Sequence, residues 1–412
     1  MNNVVGFILA GGAGSRLRPL TNERAKPAVP FGKLRIIDFA IAALVNSGAQ
    51  QLFVATQYAP DSLIQHINTF WSTILGFNRS IMTVQPKRRS ESDSHFSGTA
   101  CAVHQNWHYV VHSSVPAEHV AIFSGDHIYV MNVAQMLEYH IEHVSAFTVA
   151  AVRVRREEAA NNFGVFEIDG DCRIHGFLEK PPIEEVPCIP NDPDYCYASM
   201  GNYLAKADII GAALQRDADN PDSSHDFGKD IIPALLDQGA RVYAYPFDLD
   251  NTPGQVTPYW KDVGTLAAYY ATLNTMLQHV PPINLQNPEY PIPSYPDNLP
   301  QGRMIGEEVR TPHTQISGGA VIDNAYVRWC SVGRGSYVGP DSILDSSHIG
   351  DHVHVGAGVQ LTRVICDKYV HILDGTTIGT NHELDKRRGF TIEPLGNNEY
   401  LTVIPKGHVF KH

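Results

Sequence analysis

A chain of 412 residues exceeds what one ordinary core organises, so two or three domains are expected. Hydrophobic residues make up 43% and charged residues 18%, a globular balance that excludes wholesale disorder. Acidic residues outnumber basic ones by 43 to 31, a formal charge of -12, which argues against a general nucleic-acid or anionic-membrane binder. A local basic pocket for a phosphorylated metabolite is compatible with that balance.

In chain order, the N-terminus lacks a basic region and runs straight into an apolar, β-rich stretch, Val4–Ala10, which reads as a strand rather than a signal peptide. A glycine turn follows, then helical spacing over 35–46, a strand over 51–56 and a helix over 61–71. Val120–Phe123 is a buried strand ending at Ser124-Gly125-Asp126, and 147–154 and 164–168 continue the strand pattern before a helix over 230–238. Apolar strands alternating with helices predict an α/β fold with a mostly parallel sheet covered on both faces. No apolar run approaches the roughly 20 residues needed to cross a bilayer. The six cysteines (101, 172, 188, 196, 330, 366) show no metal-ligand spacing, which suits a reducing cytoplasm with neither disulfide framework nor structural zinc.

The α/β pattern ends near residue 278. Seven prolines then fall within residues 281–300, where missing amide donors prevent a helix or central strand and mark an extended linker. Beyond it, β-branched residues recur at steps near six: Val332 to Val338, Ile349 to Val355 to Leu361, and Ile372 to Ile378, with slips near 343 and 364. That period predicts short strands stacked in a β-helix of several coils. His348, His352 and His354 lie in this region; with no matching carboxylate cluster they read as exposed histidines rather than a metal site.

The chemistry concentrates at the first turn, Leu9-Ala10-Gly11-Gly12-Ala13-Gly14-Ser15-Arg16-Leu17. Glycines after a strand let backbone amides approach phosphate oxygens, and a following cation neutralises charge. Neither a P-loop nor a dinucleotide fingerprint fits: no Gly-Lys-Ser/Thr closes the turn, and Leu17 stands where the last glycine would fall.

The continuation through Arg18-Pro19-Leu20-Thr21 to Lys26-Pro27 resembles the signature of sugar-1-phosphate nucleotidylyltransferases. Arg35-Ile36-Ile37-Asp38-Phe39, Gly125-Asp126-His127-Ile128-Tyr129, Glu179-Lys180-Pro181, Ser199-Met200-Gly201, Ser224-His225-Asp226-Phe227-Gly228 and Trp260-Lys261-Asp262-Val263-Gly264 narrow the resemblance to the glucose-1-phosphate adenylyltransferase family, in family order over nearly the whole chain. The resemblance implies a Rossmann-like nucleotidyltransferase domain over 1–278, a linker over 279–304 and a left-handed parallel β-helix of hexapeptide repeats over 305–412. It implies ATP and glucose 1-phosphate as substrates, Mg²⁺ as cofactor, a cytoplasmic homotetramer that can include a paralogous subunit, and no nucleic-acid or membrane partner.

Carried over residue by residue, Asp126 and Asp262 hold the metal. Arg16, Lys26 and Asp126 are catalytic. Leu9, Gly11, Gly12, Gly14, Gly98 and Thr99 contact the nucleotide. Gly164, Glu179, Lys180, Ser199, Tyr203, Asp226 and Trp260 surround glucose 1-phosphate. Lys33, Arg35, Arg387 and Arg388, with Lys386, are the cations for a phosphorylated effector. The chain departs from the family at Ser97 and Cys101, where Arg and Asp are common. It departs again at Lys87-Arg88, which replace paired glutamines near adenine, and at Glu23, where bacterial relatives often carry a cation. Lys and Arg donate but do not accept, so base preference is left open. An enzyme using UTP or GTP, a non-catalytic regulatory paralogue, and more remotely a hexapeptide acyltransferase are the alternatives. Glu23 implies a weakened response to fructose 1,6-bisphosphate.

Overall fold

Val4–Ala10 forms the expected strand and lies inside a nine-stranded sheet. The computed structural model describes residues 1, 3–76, 78–86, 95–114, 116–190, 192–294 and 298–410. By its contacts the chain divides into two compact units. One comprises Met1–Gly12, Ile37–Trp260 and Leu285–Ile292; the other comprises Ala13–Ile36, Lys261–Asn284 and Pro293–His412.

The sheet belongs to the first unit. Val4–Ala10 pairs in parallel with Gln51–Thr56 on one side and His119–Ser124 on the other, and Gln51–Thr56 is parallel to Ser80–Val84. Phe7, Val54, Val120 and Ile122 are fully buried, which is why these strands read as unbroken apolar runs. The long strand Tyr195–Lys206 turns the sheet: it runs antiparallel to His119–Ser124 and to Phe147–Arg155. The first strand therefore sits where connections leave in opposite directions. Leu9 and Ser124 are register partners there, and the Gly125 amide donates to the Leu9 carbonyl at 3.0 Å. Ligands of open α/β sheets bind at such carboxyl strand ends.

Ile36–Asn46 is helical, as the spacing predicts. The helix expected over 61–71 is α-helical only over Asp61–His66 and continues as a π turn, Ile67–Trp71. Buried Asp38 gives the reason: His66 Nε2 and Trp71 Nε1 both donate to its Oδ1, at 2.6 and 2.7 Å. One carboxylate oxygen thus draws two side chains, five residues apart, to the same point. The helix expected over 230–238 likewise begins as a π turn, Phe227–Ile231, and becomes α-helical over Ile232–Asp237.

The described part of 281–300 has neither helix nor strand, yet it is packed. Within the first unit, buried Tyr290 donates to the Met131 carbonyl at 2.6 Å and lies 2.7 Å from the Ser47 hydroxyl.

In the second unit, short parallel strands stack coil on coil, consistent with a left-handed β-helix. Tyr337 pairs with His354 and His354 with His371, so one coil takes 17 residues. The inward column runs Val332, Val338, Leu344, Ile349, Val355, Leu361, Cys366, Ile372, Ile378, none more than 3% exposed. Steps of six, six and five fill each of these coils, and the step of five is the slip seen in sequence.

His352 and His354 are exposed, as expected, but His348 is not. It is 5% exposed, with Nδ1 2.8 Å from the Ser331 hydroxyl and Nε2 3.1 Å from Asn274 Oδ1 on the helix Leu266–Thr275. Outward alternation fails there because this helix covers that face. Burial drives the His348 pKa down to about 3, and burial, with His119 and Lys206 nearby, does the same for His140 in the first unit. Both folded values lie below the unfolded value, so the unfolded chain binds more protons between the two. Stability is complete above pH 6.5 and falls with acidification through that window. Each histidine is expected to remove about 2 kcal/mol by pH 5. Thermal melts at pH 7 and 5 check this, and equal midpoints would refute it.

Candidate active site

The glycine turn is shaped by contact rather than by flexibility alone. Gly14 has a φ of +61°, and a Cβ there would lie 2.8 Å from the Lys26 Cβ and 3.0 Å from Thr21 Cγ2. Thr21 closes the turn by donating to the Gly14 carbonyl at 2.8 Å. Any side chain at 14 would thus be strained in its backbone and blocked by Lys26.

Lys26 is buried, and its Nζ meets Asp262 Oδ1 at 3.0 Å. Arg16 is brought to the same place. A Cβ on Gly264 would lie 2.9 Å from an Arg16 guanidinium nitrogen and 3.0 and 3.1 Å from the two Asp262 oxygens. Gly14, Arg16, Lys26, Asp262 and Gly264, spread over some 250 positions, form one cluster of two cations around a carboxylate.

In the first unit, Leu9 ends the first strand. Gly11 and Gly12 follow it; a Cβ on Gly12 would meet nothing within 4 Å, leaving its backbone approachable. Asp126 emerges beside them from His119–Ser124. Gly125 permits the turn, because a Cβ there would meet Ile8 Cγ2 at 3.0 Å and the Leu9 carbonyl at 3.2 Å. The Ser124 hydroxyl donates to Asp126 Oδ1, and His127 Nε2 lies 3.4 Å from the same oxygen.

Gly98 and Thr99 are clasped to the loop carrying Asp226. A Cβ on Gly98 would fall 2.2 Å from the His225 carbonyl and 2.4 Å from that of Ser224. Thr99 Oγ1 donates to Asp226 Oδ2 at 2.9 Å, and the Phe227 amide donates back to Thr99 at 3.0 Å. Asp226 Oδ1 accepts from the amides of Gly228 and Lys229, so this carboxylate caps the following π turn.

The remaining sugar-site candidates gather nearby. Gly164 faces Glu179 across the strand pair, and a Cβ on it would lie 2.8 Å from Glu179 Oε2. Lys180 has a φ of +51°, an unfavourable left-handed conformation for lysine, held by its amide donating to the Phe163 carbonyl at 3.2 Å. Its Nζ lies 3.6 Å from Glu179. Burial, opposed by a Ser199 hydrogen bond and reinforced by Asp226 and Glu179, raises the Tyr203 pKa. Trp260 packs edge-on to Phe163 at 5.6 Å and to His127 at 5.1 Å. Its indole Nε1–H is buried without a partner among the described residues, an orphaned donor that calls for a ligand or water acceptor.

The effector candidates differ in what holds them. Lys33 is exposed at a hairpin turn. Arg35 lies within electrostatic reach of Lys368, which pairs with Asp351 at 2.7 Å. Arg387 is exposed, Lys386 pairs with Glu383, and Arg388 is committed to Asp385 at 3.0 Å and the Thr377 carbonyl. Glu23 pairs with Lys406 at 2.6 Å, a partner 383 positions away that no local signal announces. Phe163, Ser124 and Lys406 were missed in sequence. Phe163 has a usable signal, as an aromatic directly before the candidate Gly164. Lys87 and Arg88 lie outside the described residues. Cys101 sits on the helix Thr99–Gln105, and its Sγ accepts from Gln105 Nε2 at 3.2 Å.

The chain is similar to known proteins along its whole length. A nucleotidyl transferase family model matches residues 5–279, and a model of the GlmU-like C-terminal hexapeptide matches 303–397. Glucose-1-phosphate adenylyltransferases of Thermus thermophilus and Deinococcus radiodurans are 42% and 41% identical, each over 99% of both chains. Glucose-1-phosphate adenylyltransferase 2 of Vibrio cholerae is 39% identical over 100% of this chain and 99% of its own. With both regions matched and similarity running end to end, the chain belongs to the nucleotidyl transferase family, in its glucose-1-phosphate adenylyltransferase branch.

Proposed function

We propose that this protein transfers the adenylyl group of ATP to α-D-glucose 1-phosphate, giving ADP-glucose for α-glucan (glycogen) synthesis. A phosphate oxygen of glucose 1-phosphate attacks the α-phosphorus of ATP, the bond to the bridging α–β oxygen breaks, and pyrophosphate leaves with that electron pair. The observation that carries this reading is the convergence of Arg16 and Lys26 with Asp262 beside the Gly14 turn. Two fixed cations stabilise charge as it develops on the leaving group, and little covalent chemistry is asked of the protein.

Among the described residues no group of three or more His, Cys, Asp or Glu could hold a metal. Asp126 and Asp262 are instead single carboxylates, 32% and 28% exposed at the side chain, in different units. Oxygen donors that few suit a hard divalent ion that keeps waters and takes substrate phosphate oxygens, as Mg²⁺ does. When bound, such an ion neutralises phosphate charge. Asp126 and Asp262 would hold it, Arg16 and Lys26 would grip the triphosphate, and Lys180 and Glu179 would hold the sugar phosphate and a hydroxyl. Trp260 would cover the sugar and satisfy its indole donor on a hydroxyl. Gly11, Gly12 and Gly14 would offer backbone amides to the nucleotide, with Leu9, Gly98 and Thr99 beside it. The domain division (1–278, linker 279–304, 305–412), a homotetrameric assembly and a cytoplasmic location belong to the same reading. Six free thiols suit the last.

Pyrophosphate release from the purified protein, with glucose 1-phosphate and each nucleoside triphosphate, tests this reading. Turnover with ATP far above the others is expected; turnover with none, or with UTP or GTP instead, overturns it. Because Glu23 already pairs with Lys406, fructose 1,6-bisphosphate is expected to activate less than about threefold, since a neutralised cation attracts phosphate weakly. An activation titration that exceeds this rejects the weakened response.

A further inference from the structure

Asp126 is not held by its own turn alone. The Ser124 hydroxyl, two residues earlier on the last position of the strand His119–Ser124, donates to Asp126 Oδ1. Ser124 is in turn fixed from the neighbouring strand, because its amide donates to Asn202 Oδ1 at 3.1 Å. Asn202 is fully buried in Tyr195–Lys206, inside the break in register with Phe147–Arg155 that runs from Ser199 to Tyr203. Gly201, at φ +70°, makes that break, and a Cβ on it would sit only 3.4 Å from Ser124 Cβ. An otherwise regular apolar strand has thus been interrupted to bring one amide side chain behind Ser124. A polar residue buried in a sheet costs free energy unless it is hydrogen-bonded, so its placement asks for a reason.

The Asn202 Nδ2 is buried beside the buried Tyr129 hydroxyl, with which the Asn202 side chain interacts. Packing would be served as well by an apolar residue at 202. Fixing the Ser124 backbone would not. A carboxylate expected to ligate a metal needs its orientation set before the ion arrives, and a partner behind a ligand supplies that.

We propose that Ser124, backed by Asn202, is the positioning residue for Asp126, orienting its carboxylate for a divalent cation. This rests on the assignment of Asp126 to the metal. The test is binding of Mn²⁺ alone to the full chain, counted by loss of the free-ion electron paramagnetic resonance signal. It is paired with the Mg²⁺ dependence of turnover. Ser124→Ala is expected to weaken Mn²⁺ binding and raise half-saturating Mg²⁺ on the order of 10-fold, with kcat at saturating Mg²⁺ within about twofold of wild type. Ser124→Thr, which keeps the hydroxyl, is expected to bind Mn²⁺ as wild type does. Should Ser124→Ala lower the melting temperature by more than a few degrees, Ser124→Cys keeps the size with a weak donor and gives the same reading.

Asp126→Asn separates the two claims. Wild-type Mn²⁺ affinity in Asp126→Asn, or no uptake by the wild type, overturns the metal assignment and the positioning role with it. Weakened binding in Asp126→Asn with unchanged binding in Ser124→Ala overturns the positioning role alone.

Discussion

Lys26→Ala is expected to lower kcat by about 10² to 10³ while KM for glucose 1-phosphate moves less than about threefold. The proposed cation at the leaving pyrophosphate is one of two, so its loss removes transition-state stabilisation rather than the whole of catalysis. Lys26 sits on a short 3-10 turn, Lys26–Ala28, that Pro27 stiffens, and it is 6% exposed. Its Nζ therefore cannot be replaced by a mobile surface lysine. Lys26→Arg is expected to fail nearly as badly. The planar fork is longer than an ammonium, and the buried lysine already ends 3.0 Å from Asp262 Oδ1. Stability should fall only modestly, because Asp262 is 28% exposed and can be hydrated once its partner is gone. Pyrophosphate-release kinetics beside a thermal melt separate these effects. Activity within fivefold of wild type would remove Lys26 from the proposed machinery.

Gly98→Ala is expected to be the most destabilising single methyl in the first unit, by about 3 kcal/mol or more. The new carbon would overlap two carbonyl oxygens, at 2.2 and 2.4 Å, and both are backbone. No rotamer change relieves that contact, so Ser224–His225 must move. Moving them breaks the Thr99–Asp226 clasp and the hydrogen bonds from the Gly228 and Lys229 amides by which Asp226 caps the next turn. For a unit of this size the melting temperature should fall by about 6 to 12 °C. By contrast, Gly12→Ala, where nothing lies within 4 Å, should leave the melt nearly unchanged. Equal midpoints for Gly98→Ala and wild type would refute the clasp as a structural element.

What was legible in the sequence follows from how local each cause is. Val4–Ala10 was read to the residue because burial on both faces leaves an apolar run, and Gly164–Ile168, with Glu167 exposed, from buried Val165-Phe166 behind a boundary glycine. The β-helix column was read from its own period. The π turn at Ile67–Trp71 was not, since it answers to Asp38 some 28 positions earlier. His348 misled for the same reason: its face is covered by a helix from residues 266–275, which no pattern inside the repeats records. For the site, the resemblance named individual residues and the structure added their couplings. Asp226 is a cap held by Thr99, and Lys26 and Arg16 share one carboxylate neighbour. Ser124 acts through a hydrogen bond that the motif Ser-Gly-Asp does not advertise.

The 17-residue coil has a consequence for how this part of the protein can change length. Removing or duplicating 17 consecutive positions, each a full circuit, preserves which side chains enter the column and shifts the terminal strands by one interstrand spacing, about 4.8 Å. Deleting a single position inside a strand instead sends its inward aliphatics to solvent and its polar neighbours inside. Growth and shrinkage of this region are therefore quantised in whole circuits.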